Sequence, residues 1–109
     1  MNICFLDKTS FTYNSKDVNS FKLRGAETVL INLSNSLLEL GHQVTVINNC
    51  QRNEQINNIN WININNLSEK LTFDLVVSNN DCQLFDKVNS KKKILLSHSI
   101  QNIEKFIRK

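Results

Sequence analysis

With 109 residues, 40% of them hydrophobic and 21% charged, the chain has the composition of a single globular domain and not of a disordered segment. Its longest apolar runs, such as Ile94-Leu95-Leu96, are far too short to cross a bilayer. Met1 leads straight into a strand-like run with no basic n-region or cleavage pattern, so a cytoplasmic protein without a signal peptide is the default expectation.

The net charge of +3 is a mild excess, gathered at Lys91-Lys92-Lys93, which read as a solvated turn before a strand, and at Arg108-Lys109. A nucleic-acid binder shows a concentrated basic stripe, so no nucleic-acid partner is expected. Cys4, Cys50 and Cys82 make neither a C-x-x-C pair nor a His-spaced set. They read as free thiols in a reducing compartment, with no metal site. Asn, Ile and Lys are heavily used, Pro is absent and Gly occurs twice, a bias that A/T-rich codons produce; the Asn-rich passage from Asn48 to Asn66 therefore carries no prion-like signal.

Taken in order, Asn2 to Asp7 is a short apolar run ending in a polar residue, as in a strand buried on both faces of a parallel sheet. Lys8 to Leu23 is a polar loop with isolated aromatics at Phe11, Tyr13 and Phe21, longer than the usual connection of about two to six residues. It is either functional or a disordered surface loop. From Gly25 to Leu40 the apolar positions Ala26, Val29, Leu30, Leu33, Leu37 and Leu40 step by three and four, which predicts an amphipathic helix buried along that line. Glu27 complements the positive end of its dipole, and Gly41 supplies the left-handed residue that stops it. Gln43 to Asn48 is β-branched and predicts the second strand.

Beyond Asn49 the pattern weakens. Trp61 to Ile64 predicts a short third strand near an edge, and Leu67 to Phe73 a helical turn. Phe73 to Ser78 predicts a strand, Asp81 to Val88 a short helix capped by Asp81, and Ile94 to Ser97 another strand closed by His98. Ile100, Ile103, Phe106 and Ile107 predict the start of a final helix. Strands alternating with helices predict an α/β fold: a Rossmann-like three-layer α/β/α sandwich on a mostly parallel sheet of about five strands.

Ligands of open parallel sheets bind outside the carboxyl ends of the strands. Three stretches fall there: Arg24-Gly25, Ser78-Asn79-Asn80-Asp81, and Ser97-His98-Ser99. The opening turn has one glycine where a dinucleotide fold has G-x-G-x-x-G, and Asn48-Asn49 stand where a ribose-binding acid belongs, so a classical NAD site is not expected. No phosphate-loop ATPase motif is present.

Gly25-Ala26-Glu27, Asn32-Leu33, Leu40-Gly41-His42 and Val44-Thr45-Val46, followed by Phe73 to Ser78 and Ile94 to His98, resemble the N-terminal domain of the family 4-like nucleotide-sugar glycosyltransferases. Their usual form is GGAE, an Asn-Leu-containing helix, then GHEVTVI, and the likeness spans nearly the whole chain. The resemblance implies a GT-B architecture in which this domain holds the acceptor and a second domain holds most of the nucleotide sugar. It implies that the loop Arg24, Gly25, Ala26 and Glu27 approaches the donor diphosphate, and that His98 lies beside the transferred sugar as the catalytic residue. Ser78, Asn79 and Ser97 fall on the same ligand edge. No separate cofactor is implied. Arg24 replaces the first glycine of the pair, where a guanidinium offers a charge-assisted contact instead.

Each of these residues also has a plainer reading. Gly25 can serve close helix packing, His42 is an exposed turn residue, His98 can make a local hydrogen bond, and Ser78 to Asp81 can be a capped loop. These 109 residues leave no room for a donor-binding domain, so the chain is expected not to transfer sugar alone. A homodimer or a separate donor-domain protein is the expected partner, and peripheral contact with a membrane stays open. The other reading is a non-enzymatic α/β module that binds a nucleotide, a sugar phosphate or a protein.

Overall fold

The structure is a computed structural model that describes residues 1–17, 23, 25–79 and 81–96. Its elements in chain order are β1 (Asn2–Leu6), α1 (Gly25–Glu39), β2 (Gln43–Asn48), β3 (Glu54–Ile56), β4 (Ile59–Asn63), β5 (Thr72–Asn79) and β6 (Asn89–Leu96). Short 3₁₀ helices lie at Ser15–Asp17, Ile64–Asn66 and Cys82–Lys87. The strands form one six-stranded sheet in the order β3-β4-β2-β1-β5-β6, parallel throughout except for β3 against β4.

Two cores sandwich this sheet. On one face α1 contributes Leu30 and Ile31, which pack against Ile3, Phe5, Val44, Val46 and the ring of Trp61. On the other, Cys4, Leu6, Ile47 and Val76 pack against Ile64, Leu84 and Val88. Among the described residues this second face is covered by the 3₁₀ helices and not by α-helix, so the molecule is an α/β sheet with little helix. None of the described helices is long and apolar enough to cross a membrane.

The helix ends follow their sequence signals. Gly41 adopts φ +90°, its N–H donates to the Leu38 carbonyl at 2.9 Å, and the His42 N–H donates to Leu37 at 3.1 Å. This paired arrangement is the Schellman stop, which satisfies two of the last carbonyls of α1. The buried line of α1 differs from the expected one. It runs through Glu27, Leu30, Ile31 and Ser34, whereas Val29, Leu33 and Leu40 are exposed. Ser34 is tolerated inside because its hydroxyl donates to the Leu30 carbonyl at 2.8 Å.

Three other local expectations shift. Lys91, Lys92 and Lys93 lie within β6 and not in a turn, with Lys93 over the Phe85 ring. The helical turn expected over Leu67 to Phe73 forms earlier, at Ile64–Asn66, because Asn63 accepts from the Asn65 N–H at 2.8 Å and starts it there. The Asn-rich passage contains a hairpin: Asn57 and Asn58 take φ 51° and 68°, giving β3 and β4 a two-residue connection with both φ positive. Asp81 caps the element after β5 as expected, accepting from the Gln83 N–H at 2.9 Å, although that element is 3₁₀. The helix expected from Ile100 lies outside the described residues.

Candidate functional site

Setting β3 aside, the parallel strands read across the sheet as third, second, first, fourth, fifth in chain order. This is the doubly wound order, whose direction reverses between β1 and β5, and in such sheets ligands bind outside the carboxyl ends at that reversal. Leu6 pairs with both Ile47 and Ser78, so the next residues, Asp7, Asn48 and Asn79, stand level on three adjacent strands. All three are buried. Strand alternation puts them on the α1 side, with Phe5, Val46 and Val77, while Ser78 faces the other side with Leu6 and Ile47.

Tyr13 ties this row together. Its phenol donates to Asp7 Oδ2 at 2.5 Å. Its backbone N–H donates to the Asn49 carbonyl at 3.2 Å, and its own carbonyl accepts from Asn48 Nδ2 at 3.0 Å. Asn49 Nδ2 donates to the Thr9 carbonyl at 3.1 Å, and the Trp61 indole N–H donates to Ser15 Oγ at 3.1 Å. The first half of the long loop is therefore a fixed cover over the ends of β1 and β2. Burial pushes the Tyr13 phenol far above its ordinary range, with the charges of Asp7 and, more weakly, Glu27 adding to the effect. The Tyr13 phenol therefore keeps its proton and serves as the donor to Asp7.

α1 opens beside this row. Gly25 is exposed, Ala26 half-buried and Glu27 buried, its carboxylate within electrostatic reach of Tyr13. A Cβ built on Gly25 would meet no atom within 4 Å. Close packing therefore does not explain the glycine, and open space lies beside it at the start of the helix. The structure thus brings Gly25, Ala26, Glu27 and Asn79 to one side of the carboxyl edge. It separates Ser78, whose hydroxyl donates to the Asp81 carbonyl on the other face. Arg24, Asn80, Ser97 and His98 lie outside the described residues.

Sequence reasoning passed over Asp7, Tyr13 and Asn48. The available signals were a polar residue closing a buried strand and an isolated aromatic in a polar loop. His42 proves to sit at the opposite end of the sheet, with Nδ1 2.9 Å from the Met1 amine.

Beside the cover lies a polar cleft of about 180 Å³, lined in part by Asn14, Lys16, Asp17, Arg52 and Glu54. Lys16 and Arg52 approach Glu54 Oε2 at 3.9 and 3.6 Å, long contacts between largely exposed cations and a carboxylate that count for little. Among the described residues no group of His, Cys, Asp and Glu is arranged to hold a metal. Burial raises the Cys4 and Cys50 thiols, which disfavours the reactive thiolate.

No protein-family model, no curated protein and no solved structure matches the chain.

Proposed function

We propose that this chain is the acceptor-side domain of a GT-B nucleotide-sugar glycosyltransferase, a Rossmann-like three-layer domain that acts in the cytoplasm with a donor-binding domain. The observation that carries the reading is the opening of α1 at Gly25, Ala26 and Glu27, with free space above Gly25, beside the carboxyl ends of β1 and β5 where the strand order reverses. The motif resemblance from GAE to GHQVTV supports the same reading.

In this proposal the N–H groups of the first turn of α1 hold the oxygens of the donor diphosphate, the leaving group, aided by the positive end of the helix dipole. Fixed donors aimed at charge that builds on the departing phosphate favour the transition state over the ground state. Arg24 adds a charge-assisted contact, and His98 stands beside the transferred sugar. The Tyr13–Asp7 hydrogen bond holds the cover against the end of β1, since a buried hydrogen bond has few alternatives. The base and most of the nucleotide belong to the donor-binding domain, so this chain alone is expected to bind donor weakly and to transfer no sugar.

The test has two parts. Titration with UDP-glucose and GDP-mannose, followed by amide shifts, is expected to move Gly25, Ala26 and His98, and a flat response at all three removes the ligand site. Radiolabelled sugar transfer is then measured for the chain alone and mixed with a candidate donor-domain protein from the same genome. Shifts without association or transfer in the mixture would leave the second reading, a non-enzymatic module that binds a nucleotide or sugar phosphate.

A further inference from the structure

The polar cleft of about 180 Å³ lies between two walls that the fold holds in place. One is the segment Asn14 to Asp17. Its Asn14 N–H donates to Asp17 Oδ2 at 3.1 Å, its Lys16 N–H donates to Asn14 Oδ1 at 2.9 Å, and its Ser15 hydroxyl accepts the Trp61 indole. The other wall is the turn into β3, where Asn53 Oδ1 accepts from the Asn63 N–H at 2.7 Å and Glu54 stands opposite Trp61 in the β3–β4 ladder. The walls approach where Asn14 Nδ2 lies 3.4 Å from Glu54 Oε1. None of the residues lining the cleft belongs to α1, so it is separate from the Gly25 turn.

The donors and acceptors inside are unevenly matched. Lys16 and Arg52 can only donate, and Glu54 can only accept. Both cations point at one oxygen, Glu54 Oε2, from 3.9 and 3.6 Å. A closed charge-assisted hydrogen bond is about 2.7–2.9 Å. Gaps of this length suit a bridging group that accepts from the cation and donates to the carboxylate, as water or a hydroxyl does. Two such gaps on one carboxylate call for two hydroxyls side by side.

Charge and size narrow the ligand further. Lys16 and Arg52 stand against Asp17 and Glu54, so the lining carries no formal excess that would select an ion. Tyr13, the aromatic residue of the lining, is buried and offers no open face on which a base could stack. The volume falls below the roughly 300–1,000 Å³ of sites for drug-sized ligands, which leaves room for one small ring.

We propose that this cleft binds a neutral polyol ring, a monosaccharide or cyclitol, through a vicinal diol. One hydroxyl lies between Lys16 and Glu54 and its neighbour between Arg52 and Glu54. The ligand hydroxyls take the places of bridging waters and reproduce their hydrogen bonds, so the exchange forfeits little.

The test titrates the full chain with myo-inositol and D-glucose, followed by amide shifts. Saturable shifts are expected at Asn14, Lys16, Arg52 and Glu54. Cyclohexanol, a ring of similar size without a diol, and inorganic phosphate are expected to leave these amides in place. Glu54→Gln should weaken polyol binding at least tenfold with the β1 and β5 amides unmoved, because its contacts to exposed cations add little to stability. Should that variant fail to fold, Arg52→Met, at a largely exposed side chain, is expected to weaken binding at least threefold and decides in its place. A flat response to both polyols, equal shifts with cyclohexanol or phosphate, or unchanged affinity in the folded variant each overturns the proposal. No nucleotide sugar and no transfer reaction enters these readouts, so the proposal stands or falls separately from the glycosyltransferase reading.

Discussion

At the scale of the residue, Tyr13 and Asp74 show how single polar contacts fix the two ends of β1. Tyr13 donates to Asp7 inside the protein, where a hydrogen bond to a charged group counts for more than one at the surface. Tyr13→Phe is expected to lower the unfolding free energy by about 1–3 kcal/mol in urea titrations, because the Asp7 carboxylate then keeps its burial and loses that donor. At the other end, the Asn2 N–H donates to Asp74 Oδ2 at 2.8 Å, and Lys91 lies 3.4 Å from Oδ1. The Asn2 hydrogen bond, with Lys91 helping, holds the Asp74 carboxyl below its ordinary value of 3.8. A carboxyl depressed by folding contributes stability that is present in full above that ordinary value and drains away as pH falls through the folded one. Melting temperature should therefore fall less steeply on acidification in Asp74→Asn than in the wild type. Equal slopes would remove Asp74 from the acid transition.

At the scale of the element, α1 is bracketed by two glycines with opposite reasons for being there. Gly41 holds φ +90°, which an L side chain rarely adopts, so Gly41→Ala is expected to cost about 1 kcal/mol or more. Gly25 has an ordinary φ and open space around it, so Gly25→Ala should be neutral or stabilise by up to about 1 kcal/mol through the unfolded chain. If the diphosphate reading holds, the same substitution weakens nucleotide-sugar binding, because a methyl group then stands over the N–H groups. A more stable variant that binds less would separate function from packing at this position, whereas unchanged binding would count against the cradle.

These boundaries were legible in the sequence because each rests on local chemistry: a glycine stop, an Asp cap, a dense β-branched run from Gln43 to Asn48. The inner line of α1 was not. Spacing marks Leu33 and Leu40 as apolar, but which flank meets the sheet is a tertiary decision, and it places Glu27 and Ser34 inside, Ser34 with its hydroxyl on the Leu30 carbonyl. The β3–β4 hairpin was hidden for a different reason. Its turn uses Asn-Asn where Asn-Gly would announce it, in a stretch where Asn is common enough to carry little information. Of the site, the Gly25 turn was visible from its motif. The Asp7, Tyr13 and Asn48 row was not, since it exists only through the register of three strands and a loop folded back over them.

At the scale of the whole molecule, stability is concentrated on the α1 side of the sheet. Trp61 is fully buried there, edge-on to Tyr13 with centroids 5.9 Å apart. Trp61→Ala is expected to cost about 3–5 kcal/mol. That is much of the roughly 5–15 kcal/mol a domain commonly has, so the variant should show a broadened or absent thermal transition by circular dichroism. Trp61→Phe, which keeps the ring and loses the Ser15 contact, should remain folded with a lower midpoint. The β6 edge presents Lys91, Lys92 and Lys93, a placement that discourages edge-to-edge pairing with other chains.

The same Trp61 is the sole tryptophan of the chain, and Tyr13 the sole tyrosine. Tyr13, in the cover, lies edge-on to Trp61, so excitation of Tyr13 can pass to Trp61. The molecule thus carries its own optical gauge: lifting of the cover, whether by a ligand, by acid or by a neighbouring domain, should register as a change in emission without any label attached.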